Sequence, residues 1–147
     1  MAYRFSASLL TLLLVGGALV ACSGSSEAPR VVPVAELAVG DCFSSDAERK
    51  LATLEETCES PHLYEVLSVT PTSLGDAFPG DAELATEADA LCAADFAALG
   101  ADVTAGLVPL HLVPSETSWA AGDRAMVCLV ADAGGAELTG SRLPRDS

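Results

Sequence analysis

The stretch DAELATEADALCAADFAALG, residues 81–100, decides the fold. Leu84, Ala88, Leu91, Cys92 and Leu99 recur at helical spacing with Phe96 on the border of their stripe, while Glu83, Glu87 and Asp95 fall elsewhere. That spacing predicts a helix over 81–99. Asp81 stands where a side chain can cap the free backbone amides, and Gly100 where a left-handed residue closes a helix. It is the one long helix the sequence offers.

Upstream, residues 72–80 read as a loop with Gly75, Pro79 and Gly80. Leu51 to Cys58 and Leu63 to Val69 carry β-branched and apolar residues between turn signals such as Pro61 and Pro71, the pattern of short strands. Earlier still, Leu37, Val39 and Cys42-Phe43 bracket the turn pair Gly40-Asp41, and the folded part is expected to start near Glu36. Downstream, Gly106 to Val113 reads as a strand with Pro109 as an edge or bulge residue, and Pro114-Ser115 opens a short helical turn ending at Gly122. Arg124 to Ala131 is the best strand in the chain, and Leu138 to Leu143 is expected to add an edge strand. One main helix among strands that do not alternate with helices predicts an α+β domain over 36–143 with a small, mostly antiparallel sheet.

The N-terminus has a different character. Arg4 and the free amino group precede an apolar run from Leu9 to Ala21, a positive region followed by a hydrophobic one, as in a signal peptide over 1–21. The run falls short of the roughly 20 apolar residues a spanning helix needs before it meets Ser23-Gly24-Ser25-Ser26-Glu27. Its end, Leu19-Val20-Ala21-Cys22, resembles the lipobox of bacterial lipoproteins, in which the cysteine thiol receives a diacylglyceryl group and the chain is cut before it. The resemblance implies a membrane partner reached through a lipid on Cys22, on the outer, extracytoplasmic face of the cell membrane. Ser23 to Ala35 is rich in Ser, Gly and Pro without a period, so residues 22–35 read as a flexible tether with a reach of about 20 Å.

Cysteine parity points the same way. The chain has five cysteines, and an odd thiol in an exported protein needs a separate role, which lipidation of Cys22 supplies. Cys42, Cys58, Cys92 and Cys128 remain, an even set in a compartment where disulfides persist. Four cysteines allow three pairings, and spacing alone does not choose among them. Joining neighbours in sequence favours Cys42 with Cys58 and Cys92 with Cys128.

The formal net charge is −14, and loss of residues 1–21 would remove Arg4 and make it one unit more negative. Self-repulsion at that charge favours solubility and argues against nucleic acid or anionic head groups as partners. No Gly-rich phosphate loop, Gly-x-Ser-x-Gly elbow or Asp-x-Asp-x-Asp-Gly calcium loop is present.

Several short motifs appear in a recognisable order: Val39-Gly40-Asp41-Cys42-Phe43, then Cys58-Glu59-Ser60-Pro61-His62 followed by Glu65-Val66, then Cys92. Trp119-Ala120-Ala121-Gly122-Asp123-Arg124, Cys128 and Leu138-Thr139-Gly140-Ser141 complete the series. Together they resemble the septum-formation domain family of actinobacterial envelope proteins, from about residue 36 to 142. The resemblance implies a role near the division septum and envelope or division proteins as partners, without a defined biochemical activity. Many members of that family carry the domain on a transmembrane helix, where this chain would use a lipid.

Two groups of residues are candidates for binding or chemistry. His62, with Glu65 three residues on and Asp41 or Asp123 as further carboxylates, has the types needed for a base and its orienting acid, but nothing supplies a nucleophile. Beside a disulfide, such a histidine more often satisfies backbone groups. Cys58 and His62 are four apart and could meet one zinc ion, yet the paired short spacings of structural zinc sites are missing and exported thiols are oxidised, so neither a metal nor another cofactor is expected. His111, alone between Leu110 and Leu112, points to solvent or to the second face of the sheet. The second group is Trp119 with Asp123 and Arg124, an aromatic surface beside a guanidinium that can stack on a sugar ring or clamp a carboxylate. The plainer reading has Trp119 covering the core while Asp123 and Arg124 set the turn into the last main strand. The expectation is a non-enzymatic binding or organising module of the envelope. The alternatives are a small hydrolase or transferase using His62, or a small-ligand carrier with a pocket near Trp119.

Overall fold

A computed structural model describes residues 29–144 except 47; the expected signal peptide, Cys22 and the first half of the tether lie outside the described residues. Six strands form one antiparallel sheet: β1 (Arg30–Pro33), β2 (Cys42–Ser45), β3 (Leu51–Leu54), β4 (Tyr64–Pro71), β5 (Leu107–Leu112) and β6 (Ala125–Asp132), in the order β1-β3-β2-β4-β6-β5. The main helix, α1 (Asp81–Ala98), crosses over between β4 and β5, and two short helices follow, α2 (Ala101–Thr104) and α3 (Glu116–Ala120). The fold is the α+β domain that the sequence predicts, with its two disulfides Cys42–Cys58 and Cys92–Cys128. Among the described residues no helix is long and apolar enough to cross a membrane.

Three local expectations need correction. Arg30–Pro33, which reads as tether in the sequence, pairs with β3 as an edge strand, because Val32 finds a buried place opposite Ala52. The first folded residues therefore precede Glu36. Asp81 is the first helical residue and caps nothing; Gly80 takes the N-cap position at φ 103°, a backbone angle that suits glycine. Residues 138–143 form no strand, and only Leu138 makes a bridge, with His62. Further on, the amide of Arg142 and the hydroxyl of Ser141 go to a side chain instead of a neighbouring strand.

Strand β6 explains the layering. Residues 126–131 are all buried, so both of its faces are covered. On one face Val127 and Leu129 join Val32, Phe43, Ala52, Leu54 and Val66 in a single apolar cluster drawn from five strands, with Leu37. Val34, from the short 3-10 helix Val34–Glu36, packs against that cluster with Tyr64, Leu110, Leu112 and Ala125, and Phe43 and Leu129 are almost completely buried. On the other face Cys128 is bonded to Cys92 of α1, whose Leu84 and Ala88 are fully buried.

Strand β4 is irregular where it passes beneath the helix-side cover. The register against β6 shifts between Val66 and Ser68, so Glu65 faces the Val130 position and Ser68 the Cys128 position, both on the helix side. The extra residue, Leu67, is a bulge that keeps two polar side chains three apart on one face. Ser68 uses its place to donate to Asp95 of α1 at 2.5 Å.

Candidate functional site

The helix-side face is covered in two halves. Helix α1 lies over the half around Cys128, while the C-terminal segment from Leu138 to Leu143 lies over the half where Cys42 of β2 stands opposite Glu65 of β4. His62 enters from the loop before β4. Its backbone exchanges hydrogen bonds with Leu138 at 3.1 and 2.7 Å, and Gly140 N–H donates to the Cys58 carbonyl at 2.7 Å.

His62 and Glu65 both have 0 % exposure. His62 Nδ1 lies 2.8 Å from the Ser60 carbonyl, which can only accept, so Nδ1 carries a proton. Nε2 is buried without a hydrogen-bond partner. The Glu65 carboxylate accepts from the Ser141 hydroxyl at 2.5 Å and from the Arg142 amide at 2.6 Å, so one buried side chain holds the end of the C-terminal segment. Leu143 N–H donates to Ser141 Oγ at 3.2 Å and closes the turn.

The sequence pairs His62 with Glu65, and the structure brings them together with Cys42. It does not bring Asp123. Glu65 stands opposite Val130, while Asp123 lies seven residues before Val130 and two before the start of β6 at Ala125, so the stretch of β6 between them alone spans about 17 Å. Ser141 and Arg142, which hold Glu65, carry no signal of their own in the sequence; only the Leu138-Thr139-Gly140-Ser141 motif points at that segment. Cys42 reads there as a disulfide partner alone.

Trp119 and Arg124 do meet, but to hold a loop. The Arg124 guanidinium carbon lies 3.7 Å from the centre of the Trp119 ring, and Phe78 meets that ring edge-on at 5.7 Å. Trp119 Nε1 donates to the Asp76 carbonyl at 2.8 Å, and Arg124 donates to the carbonyls of Trp119, Asp123 and Asp76. Asp123 Oδ1 accepts from the Ala125 amide at 3.0 Å, setting the turn into β6. With Trp119 only 5 % exposed, little ring surface is left for a sugar to stack on.

The other side of the crossover loop is tied by Glu87 of α1. Its carboxylate accepts from the Thr72 hydroxyl and from the hydroxyl and amide of Ser73. Those bonds, the Ser73 hydroxyl first, then Thr72 and the Ser73 amide, hold the Glu87 carboxyl below its usual value of 4.5 against a small opposing effect of burial. His111, on the helix face, pairs with Asp89 at 2.9 Å.

A shallow cavity of about 260 Å³ opens on the opposite face, lined by Leu63, Tyr64, Val108, Leu110 and Ala131 with the turn after β6. It lies away from Trp119, the place where the ligand-carrier alternative expects a pocket.

The antiparallel sheet, the single main helix and the two staples define a small disulfide-bonded α+β module in which His62, Glu65 and Trp119 are buried, while Asp123 and Arg124 are partly exposed and hydrogen-bonded within the fold. The model of the septum formation family matches residues 39–145, and the chain belongs to that family. No curated protein and no solved structure matches it.

Proposed function

We propose that this chain is an extracytoplasmic lipoprotein whose domain binds or organises other components of the cell envelope, linked to septum formation, without catalysing a reaction. Family membership supports the septal role. The observation that carries the non-enzymatic reading is the state of the candidate residues: His62 and Glu65 are sealed beneath the C-terminal segment, and Arg124 spends its donors on three backbone carbonyls. A base that substrate cannot reach is poorly placed for proton transfer, which needs contact at hydrogen-bond distance.

The anchor is proposed at Cys22, and two or three acyl chains there would hold the domain at the membrane where one would bind only marginally. Proximity labelling from the full-length protein in dividing cells tests place and partner together. Enrichment of division and wall-assembly proteins is expected, and its loss when Cys22→Ala releases the protein from membranes. Intact mass of the membrane-extracted protein should correspond to a chain beginning at Cys22 with added lipid. Turnover of wall-derived material by the purified protein, abolished by His62→Ala, would defeat the reading.

A further inference from the structure

Cys42 Sγ, a ring nitrogen of His62 and a carboxylate oxygen of Glu65 all lie within 4.8 Å of one another, and all three residues are buried. Thiolate, imidazole and carboxylate are the three side-chain types that hold zinc. Each ligand is also braced from behind. A metal-bound histidine usually gives its other N–H to a carbonyl, as His62 Nδ1 does to Ser60, and a ligating carboxylate is usually hydrogen-bonded, as Glu65 is to Ser141 and Arg142.

The unpartnered Nε2 is the independent sign of a ligand. It is a fully buried polar atom without a hydrogen-bond partner, while the Glu65 carboxylate in the same cluster takes its hydrogen bonds from Ser141 and Arg142. A polar atom left unsatisfied in the interior is costly, and a metal ion that it ligates removes the cost. While Cys42 is bonded to Cys58 its sulfur carries no charge, which leaves a metal only His62 and Glu65.

We propose that reduction of the Cys42–Cys58 disulfide turns this cluster into a tetrahedral site for zinc or a similar divalent ion, with Cys42, Cys58, His62 and Glu65 as ligands. A dithiol reductant supplies two electrons and two protons, the S–S bond breaks, and the reductant leaves as its own disulfide. Both thiols then lose their protons to solvent as the metal binds their sulfurs. Zinc–sulfur bonds of about 2.3 Å set two sulfurs about 3.8 Å apart in a tetrahedron, so the sulfurs separate by roughly 2 Å on opening. Cys58 lies in the loop between β3 and β4 and is partly exposed, which gives that sulfur room to move and the metal a way in. The cluster differs from the Cys58–His62 spacing seen in the sequence because the sheet adds Cys42 and Glu65 from adjacent strands.

The test uses the full-length protein in detergent, oxidised or reduced with dithiothreitol that is then removed anaerobically. Zinc uptake is measured against a colorimetric chelator, and cobalt(II) is added separately for its visible spectrum. The reduced chain should take up one zinc and give the cobalt spectrum of a tetrahedral thiolate site; the oxidised chain should give neither. Cys42→Ser and His62→Gln should each weaken zinc binding at least about 100-fold, and Ser141→Ala, which loosens Glu65, by about 10-fold. Cys92→Ser and Cys22→Ser should leave the stoichiometry unchanged. For a variant that does not fold, melting of the reduced wild-type chain with and without zinc decides instead, with a higher Tm expected only in the reduced form. No uptake by the reduced chain, equal uptake by the oxidised chain, no zinc-dependent rise in Tm, or uptake lost with Cys92→Ser but kept in Cys42→Ser would overturn the proposal.

Discussion

The two halves of the helix-side face are stapled alike and filled differently. Under α1 the space is apolar, taken by Leu84, Ala88 and the Cys92–Cys128 bridge, and the polar contacts lie at its margin, where Ser68 meets Asp95 and the crossover loop meets Glu87. Under the C-terminal segment the centre itself is polar: His62 and Glu65 lie fully buried beside Cys42. An apolar interior stabilises through the area it removes from water, whereas a polar one does so only while every donor and acceptor keeps its partner. The helix half is therefore expected to yield gradually to mutation, and the C-terminal half to fail one hydrogen bond at a time.

The contrast is open to four measurements. Replacing both Cys92 and Cys128 by serine opens the longer loop, 36 residues apart, and should cost about 4 kcal/mol in urea denaturation. The same change at Cys42 and Cys58, 16 apart, should cost about 3 kcal/mol, so the order of the two midpoints is itself a check. Glu65→Ala leaves the Ser141 hydroxyl and the Arg142 amide without their acceptor and should cost about 2 kcal/mol. Hydrogen exchange should then quicken at Leu138 and Arg142 while the β6 amides stay protected; uniform loss of protection would mean that the two halves are one unit.

The smallest effect concerns pH. Because the folded Glu87 carboxyl is held below its ordinary value, its contribution is fully present above about pH 4.5 and is lost as pH falls through the lowered folded value. Thr72 and Ser73 should loosen from α1 over that acid window, seen as faster exchange at the Ser73 amide. Glu87→Gln should remove the pH dependence, and an unchanged profile in that variant would assign it to another carboxylate.

Much of this architecture is legible from local pattern. Helix α1 declares itself by its stripe, β6 by its unbroken apolar run, and Ser115 caps α3 where a helical turn is expected, accepting from Ser118 N–H at 3.1 Å. The elements that local pattern misses are made by long-range pairing. Arg30–Pro33 has too few alternations to look like a strand, and it becomes one only because β3 offers an edge. Residues 138–143 have the residues of a strand, but their polar groups find Glu65 and Cys58 first. At the site, His62 and Glu65 are close enough in sequence to be paired by eye. Their third neighbour, Cys42, arrives through strand pairing, and Asp123 is carried to the far end of β6 by the same register.

Both rims of the sheet carry a proline, Pro33 in β1 and Pro109 in β5. Each leaves a gap in the row of amide donors along a rim, where another chain would otherwise add itself. Crowded copies of the domain thus meet a poor template for fibre growth.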